Sequence, residues 1–547
     1  MGNGGTEVGP AVPPTGSDPL HDDSGPATLW SRVNAAEAMP GVLTPLGWTF
    51  WIGPSERGAR RGFTDMGIMR PADVGCPATA DDRLMGVFFG RFAINVEQLR
   101  AIADLMPGTD GNALEQQMLG AVRPGVAGQS SRRRYPTIAG KLTRAMIRQP
   151  QRARNVRQET ADWWRAAVEA SATADEAGAR ALLAEALLRL EEAVRIHAIS
   201  TFLCQALYET LRKLAVAAGQ PGAEIRLTTG YGGMDEIGFV TDLWAVSRDV
   251  MDLEDFLGRH GYHGPAEGEL SSRSWREDPA PLKPVIDGYR QLSTDQGPAA
   301  VEHRRAAERV RAERELIAAV APWRRPGART VLRLARTYIP FREMTKAAFV
   351  LALDGGRAAA RTLGRHLAEG GLLTHPEDVF LLTTGELLGD LPPEAKAVTA
   401  ERRRRRQGYQ LLGLPDSWIG PAVAADPAPP AEPAGEAGGA GLSGIGASPG
   451  VYEGPVRVVL DPSQAEFDPG DVLVCETTDP SWAALFLLAG AVVTDIGGPI
   501  SHGAIVAREL GLPCVVNTRL GTRRLPTGCV VRVDGSTGRV EVLSERS

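Results

Sequence analysis

Two different hydrophobic periods divide the sequence into two regions. Between about residue 85 and residue 419, apolar residues recur every three or four positions, which predicts α-helices. The clearest stretch follows Asp175, where Leu183, Leu187, Leu190 and Val194 share one helix face. From about residue 446 the pattern changes to short β-branched runs bounded by Gly, Pro or Asp. These runs predict strands that alternate with short helices.

Composition marks the boundaries between these regions. Residues 1–27 are rich in Gly, Pro, Ser and Asp, which predicts a disordered N-terminal segment. Residues 420–445 are dominated by Ala, Pro, Gly and acidic residues, which predicts a flexible linker. The chain is therefore predicted to be a multidomain α+β protein. A mainly helical domain over 28–419 precedes a small β/α domain over 446–547 that the linker leaves free to move.

Composition and charge exclude several broad classes. The 547 residues carry a formal net charge of −6, which does not indicate a nucleic-acid or membrane-surface protein. The run Arg402–Arg406 predicts an ordinary polar helix, because successive arginines in one helix spread around its circumference. The cysteines are scattered without CxxC spacing, so neither a disulfide framework nor a zinc site is predicted. No apolar run reaches membrane length and no secretory signal opens the sequence, so we expect a cytoplasmic protein.

The stretch GGPISHGAIVAREL places a histidine, His502, at the start of a predicted helix. Gly497 and Gly498 permit a tight turn after an apolar strand, and Ser501 is suited to cap the helix. Free amide groups at a helix start favour a phosphate, and a neutral imidazole can attack phosphorus. The residues alone leave two interpretations open, a phosphohistidine or a histidine that only packs. A metal-ligand role is not predicted, because no other ligand lies nearby at suitable spacing.

This C-terminal region resembles the mobile phosphohistidine domain of the phosphoenolpyruvate (PEP)-utilising enzymes. The resemblance runs from GIGASPGVYEGPVRVV through TDPSWAALF and GGPISHGAIVARELGLPCVV to VRVDGSTGRVEVL. It implies a small swivelling domain in which His502 carries a phosphoryl group. The same motif makes Gly497, Gly498, Ser501, Gly503 and Arg508 candidate supporting residues.

The helical region resembles the substrate domain of rifampin phosphotransferase. The similar stretches are VNAAEAMPGVLTPLGWTF, FLGRHGYHGPAEGELSSRSWREDP and the REMTK helix with the PEDVF turn after it. Arg342 and Lys346 are four residues apart, so they share a helix face and could bind a phosphoryl group in transfer. His263 and Glu267 could supply a general base for an acceptor hydroxyl. The alternative for Arg342 and Lys346 is a solvated helix face, and the alternative for His263 and Glu267 is a polar hairpin.

The resemblance does not extend to the ATP-grasp domain with which such enzymes begin, and the sequence contains no Walker loop. We therefore expect a dikinase-type phosphotransferase subunit that depends on a separate ATP-grasp protein for Mg²⁺ and ATP. The resemblance implies that ATP yields AMP and phosphate while His502 delivers a phosphoryl group to a hydroxyl of a small, hydrophobic molecule. The alternatives are an inactive protein that binds or sequesters a small molecule, and a phosphocarrier to another protein.

Overall fold

The structure is a computed structural model that describes residues 18–33, 38–106, 109–119, 122–129, 131–424, 441–462, 465–498 and 501–544. Residues 1–17 of the predicted disordered segment and residues 425–440 of the predicted linker lie outside the described residues. The predicted fold class is confirmed, because a mainly helical unit precedes a smaller unit built on a β-sheet.

The helices and strands are numbered in chain order over the described residues. The α-helices are α1 (Pro45–Asp65), α2 (Val96–Asp104), α3 (Gly111–Leu119), α4 (Tyr135–Ser171), α5 (Glu176–Ala217), α6 (Ala223–Leu227), α7 (Asp235–Ser247), α8 (Leu253–His260), α9 (Leu282–Gln291), α10 (Pro298–Ala319), α11 (Arg325–Glu369), α12 (Thr384–Leu388), α13 (Ala395–Gln410), α14 (Ala483–Phe486), α15 (His502–Leu510) and α16 (Gly521–Arg524). The strands are β1 (Leu29–Ser31), β2 (Met85–Phe88), β3 (Arg91–Asn95), β4 (Ser417–Ile419), β5 (Leu442–Ser443), β6 (Ile445–Ser448), β7 (Val451–Val458), β8 (Val472–Cys475), β9 (Ala491–Thr494), β10 (Cys514–Val516), β11 (Val530–Asp534) and β12 (Arg539–Ser544).

Three long helices, α4, α5 and α11, form the centre of the helical unit. Helix α5 begins after Asp175, whose carboxylate accepts a hydrogen bond from the Gly178 amide and caps the first turn. Leu183, Ala186 and Leu190 on its predicted apolar face are buried, and α5 packs most extensively against α11. Burial of this apolar face against α11 stabilises α5, which explains why its long amphipathic sequence remains one helix.

A small antiparallel sheet in the order β2-β3-β1-β4 joins the two ends of the helical unit. The prediction that residues 1–27 are disordered is wrong for residues 18–27. Leu20 is buried, and the Asp22 carboxylate accepts a hydrogen bond from the Val87 amide at 2.9 Å. Asp18 also accepts a hydrogen bond from the Leu20 amide, so polar residues of this segment pair with backbone groups of the folded unit.

The C-terminal unit contains an eight-stranded sheet in the order β5-β12-β11-β7-β8-β9-β10-β6. Strands β7, β8, β9 and β10 are parallel, and the remaining neighbours pair antiparallel. The predicted β-branched runs all form strands here. Strand β5 adds to this sheet although Leu442 and Ser443 fall inside the predicted linker, because both pair with β12.

The two units contact each other through a buried apolar surface. Helices α7 and α9 of the helical unit pack against α14 of the sheet unit, and the Tyr289 hydroxyl donates to the Ala484 carbonyl at 2.8 Å. A second link joins the Asp479 carboxylate to the Ala266 amide at 2.9 Å. Burial, with the nearby Glu267 carboxylate, raises the pKa of Asp479 to about 6. This docking holds the start of α15 against the helical unit.

The arginine run lies on α13 and is engaged within the helical unit. Arg402 contacts Glu386, Arg403 contacts Asp378, and Arg404 and Arg405 contact Glu401. Arg406 donates to the Val42 carbonyl at 2.7 Å. The run therefore forms the polar helix that the sequence predicts. Among the described residues, no helix combines the length and apolar character needed to cross a membrane.

Candidate functional site

His502 is the first residue of helix α15, at the end of a turn that follows β9. Gly497 adopts a φ of +152°, a conformation that favours glycine. Ser501 is the N-cap, and its hydroxyl accepts a hydrogen bond from the Ala504 amide at 3.3 Å. The predicted capping by Ser501 is therefore confirmed. His502 itself is only 7% exposed, because the helical unit covers it.

The supporting residues of the motif fix α15 in place. A Cβ atom on Gly503 would lie 2.6 Å from the Thr478 hydroxyl, so glycine allows the helix to approach the loop after β8. Buried Arg508 donates from Nε to the Ala447 carbonyl at 2.6 Å, which ties the same helix to β6. Gly498 is buried beside the turn. These contacts position the imidazole rigidly at the surface of the sheet unit.

A charged cluster on the helical unit faces His502. Glu236 lies in the first turn of α7, and its Oε1 atom is 3.3 Å from His502 Nε2. Lys346 on α11 places Nζ 3.0 Å from the same Oε1 atom. Arg342 donates from Nη1 to Glu343 Oε1 at 2.9 Å, and Glu343 Oε2 is 3.8 Å from Lys346 Nζ. The structure thus brings Arg342, Lys346 and His502 together through two glutamates.

The charge state of this cluster suits a nucleophilic imidazole. Burial and the Lys346 ammonium lower the pKa of His502 below its usual value, although Glu236 opposes them. Burial disfavours the charged form of Glu236, but Lys346 and the contact with His502 hold its pKa well below the ordinary range. At neutral pH the ring is therefore neutral and the glutamate is ionised.

Glu236 was not identified from the sequence. It belongs to TTGYGGMDE, a glycine-rich stretch that indicates a helix entry, and α7 does begin within it. An acidic residue in a first turn is ordinarily explained by the helix dipole. The pairing of Glu236 with Lys346 and His502 depends on three separate elements, so no local signal distinguished it.

His263 and Glu267 lie in a buried network behind this cluster. His263 Nδ1 is 2.8 Å from Glu267 Oε2, and Nε2 is 3.1 Å from Asp235 Oδ2. Arg157 Nη2 donates to Asp235 Oδ1 at 3.0 Å, and the Tyr262 hydroxyl also donates to Asp235. Burial opposes protonation of His263, but Glu267 and Asp235 outweigh it and raise its pKa to about 9. A protonated ring that donates to two carboxylates favours a role in positioning α7 over the predicted role as general base.

Two polar neighbours of this network, His260 and Glu269, point elsewhere. His260 Nε2 is 2.9 Å from Asp242 Oδ2. Glu269 accepts from the amide and the hydroxyl of Thr44, the N-cap of α1. Both residues therefore connect elements of the helical unit. Among the described residues, no group of three or more His, Cys, Asp or Glu side chains is arranged to hold a metal ion.

We expect replacement of His263 by glutamine to destabilise the chain more at pH 6 than at about pH 9.5. The folded-state pKa of about 9 exceeds the unfolded value near 6.5, so the stabilising charge is fully present below pH 6.5. It is lost as pH rises through about 9, and the difference is on the order of 3 kcal/mol. Thermal melting at both pH values measures the effect, with exposed His303→Gln as the matched control. Equal losses of stability at both pH values would exclude a charged His263.

A small pocket of about 110 Å³ lies between the units beside this cluster. Helix α5, residues 228–234, helix α11 and helix α15 form its walls. Its lining residues are Thr201, Cys204, Gln205, Tyr208, Thr228, Thr229, Tyr231, Gly232, Met234, Ile339, Pro340, Arg342, Glu343, Ile505, Arg508 and Glu509. Arg342 and Glu343 connect this pocket to the cluster that faces His502.

Two regions of the chain match known family profiles. Residues 467–538 match the profile described as PEP-utilising enzyme, mobile domain. Residues 206–343 match the profile described as rifampicin phosphotransferase fourth domain. These two regions are similar to parts of the rifampicin phosphotransferases. His502 lies in the first match and Glu236 and Arg342 in the second, so the site joins the two regions that the family profiles recognise.

Curated proteins from several bacteria are similar to more than half of this chain. The rifampicin phosphotransferase of Streptomyces sviceus is 31% identical over 328 residues, which are 57% of this chain and 37% of that protein. The rifampicin phosphotransferase of Bacillus subtilis is 28% identical over 300 residues, 53% of this chain and 34% of that protein. An uncharacterised protein of Mycobacterium tuberculosis is 35% identical over 287 residues, 52% of this chain and 30% of that protein. The resemblance stated from the sequence is confirmed.

The chain spans about a third of the length of the curated relatives it matches. An ATP-grasp domain is not detected in the sequence.

Proposed function

We propose that this chain is a phosphotransferase component in which His502 carries a phosphoryl group and delivers it to a hydroxyl of a small, hydrophobic molecule. The observation that carries the proposal is the contact geometry of His502. Its Nε2 atom faces Glu236 at 3.3 Å, and Glu236 in turn binds Lys346 at 3.0 Å. A neutral, buried imidazole opposite a lysine and an arginine is suited to phosphoryl transfer, in which positioning and charge neutralisation dominate.

The transfer step can be written from these groups. The bond between phosphorus and Nε2 of His502 breaks, and its electron pair returns to the ring. A bond forms between phosphorus and the acceptor oxygen, and the hydroxyl proton ends on the imidazole. The total charge is therefore the same before and after the step. Glu236 is close enough to Nε2 to relay that proton.

The two cations neutralise the group in transfer. In the unphosphorylated state, Lys346 and Arg342 bind the carboxylates of Glu236 and Glu343. A phosphoryl group on Nε2 would bring negative charge close to Glu236, so both cations are expected to shift toward the phosphoryl oxygens. Such preorganised charges typically contribute a factor of about 10² to 10³ each in rate.

The donor in this proposal is ATP, held with Mg²⁺ by a separate ATP-grasp protein. Its β-phosphoryl group passes to His502, a water molecule takes up the γ-phosphoryl group, and AMP and inorganic phosphate are released. The Ala/Pro/Gly-rich composition of residues 420–445 supports a sheet unit that travels between donor and acceptor stations. In this proposal, the contacts between the sheet unit and the helical unit correspond to the acceptor station.

A pulse–chase experiment tests the proposal. The purified chain is incubated with Mg²⁺, ATP labelled at the β-phosphate and an extract of the organism that encodes it. We expect label to appear first on the protein and then in a small phosphorylated molecule. Label that reaches the small molecule without passing through the protein would contradict the carrier role. Label acquired equally well without extract would contradict the separate donor.

A further inference from the structure

The small pocket beside the transfer site is completed by both units. Helices α5 and α11 and residues 228–234 supply most of its wall, and Ile505, Arg508 and Glu509 on α15 close it. Ile505 follows His502 by three residues, about one turn of the same helix. A molecule in this pocket therefore contacts the helix that carries the proposed phosphoryl group, and its complete wall exists only in the docked arrangement.

The pocket shares two residues with the cluster that faces His502, whereas a larger cleft nearby shares none. That cleft, of about 1210 Å³, is lined by residues such as Arg273, Asp416 and Arg519 from both units. Its lining includes none of Glu236, Arg342, Lys346 and His502. The small pocket is lined by Arg342 and Glu343 of the cluster, although not by Glu236, Lys346 or His502. These two shared residues favour the small pocket over the cleft as the place of the acceptor.

The volume of the pocket limits its occupant. A cavity of about 150 Å³ lined by aliphatic and aromatic side chains accepts a molecule of the size of benzene. The pocket here measures about 110 Å³, so it fits one ring or a short branched chain. Drug-sized ligands occupy cavities of about 300–1,000 Å³. A macrocyclic antibiotic such as rifampicin is several times too large to be enclosed in this volume.

The chemistry of the walls favours an uncharged occupant. Met234, Ile339, Pro340 and Ile505 provide apolar surface. The charged side chains in the wall already have partners within the protein: Arg342 binds Glu343, Arg508 binds the Ala447 carbonyl, and Glu509 accepts from the Gly230 amide at 2.9 Å. A charged ligand would compete with these buried or partly buried contacts, which is costly.

We propose that the acceptor is an uncharged alcohol or phenol of single-ring size, enclosed between the units with Ile505 as part of its wall. The role of this molecule as the acceptor rests on the proposed function, but its binding in the pocket does not depend on phosphoryl transfer. Because the mobile helix completes the pocket, binding of the acceptor favours the docked arrangement.

Binding of phenol, cyclohexanol and rifampicin to the full chain tests the proposal without any phosphoryl donor. We expect phenol and cyclohexanol to bind, with saturation-transfer NMR as the readout, and rifampicin not to compete with them. Replacing Ile505 by tryptophan fills the pocket and should weaken phenol binding at least tenfold, whereas Ile505→Val should change it less than about threefold. Val451→Trp, at an exposed position of β7, is the matched control for adding a bulky side chain and should leave binding unchanged.

Met234→Trp narrows the pocket from the opposite wall and should weaken phenol binding in the same way, so the test survives if one variant folds poorly. Rifampicin binding in competition with phenol, or phenol binding unaffected by both tryptophan variants, would overturn the inference. If His502 never acquires phosphate, the proposed function fails, but the binding result still decides whether the pocket holds an uncharged molecule of single-ring size. If His502 transfers phosphate to rifampicin, the function stands and the size limit is refuted.

Discussion

Replacing His502 by alanine is expected to abolish labelling of the chain by ATP labelled at the β-phosphate. In the proposed function the imidazole is the nucleophile, and the neighbouring Ser501 hydroxyl is engaged in capping α15. His303→Ala removes an exposed histidine of α10 and is the matched control, for which normal labelling is expected. Acid-labile label per mole of protein is the measurement. A His502→Ala protein that is labelled like the wild type would remove His502 as the carrier.

Replacing Lys346 by methionine is expected to preserve labelling of His502 but to slow delivery to the acceptor by about 100-fold. The methionine keeps the length and removes the charge that binds Glu236 at 3.0 Å. Loss of one preorganised charge costs about 10² to 10³ in rate, equivalent to about 2.7–4 kcal/mol. Labelling should persist, because the donor station lies away from α11 in this account.

The rate at which label leaves the protein in a chase with unlabelled ATP measures this effect. Lys396→Met, an exposed change on α13, is the control and should chase at the wild-type rate. Arg342→Ala should act in the same direction as Lys346→Met, because both cations belong to one cluster. Loss of labelling in either variant would show that the division between donor and acceptor stations is wrong.

Much of the fold follows from local sequence patterns. The β-branched runs after residue 446 form the predicted strands, and the apolar face of α5 is where the sequence predicts it. Between β8 and β9, where the pattern predicts one of the short alternating helices, the chain forms only a 3₁₀ turn followed by the short α14. Its residues are buried against the helical unit, and such tertiary packing is not encoded in local periodicity.

The candidate site was predictable in its parts but not in its assembly. His502 followed from the helix start and the motif, and the spacing of Arg342 and Lys346 placed them on one face. Their approach to His502 depends on docking between units separated by more than 150 residues of sequence, which no spacing rule describes. Glu236 was missed for the same reason, since it acts as the link between α11 and α15.

The arrangement also changes how His263 is interpreted. A histidine near acidic residues is consistent with a general base, and the sequence left that role open. In the structure both ring nitrogens contact carboxylates, and those carboxylates raise the pKa of His263 against the effect of burial. The network instead fixes Asp235, and thereby the adjacent Glu236 at the transfer site. Only the three-dimensional contacts distinguish these roles.

Tandem mass spectrometry of the chain during turnover tests the central claim most directly. Samples with extract, Mg²⁺ and ATP are quenched and digested at alkaline pH, where phosphohistidine survives, and the modified peptide is sequenced. The account predicts a phosphate on His502 that disappears when ATP is exhausted. Phosphate on another residue, or turnover with His502 unmodified throughout, would contradict it.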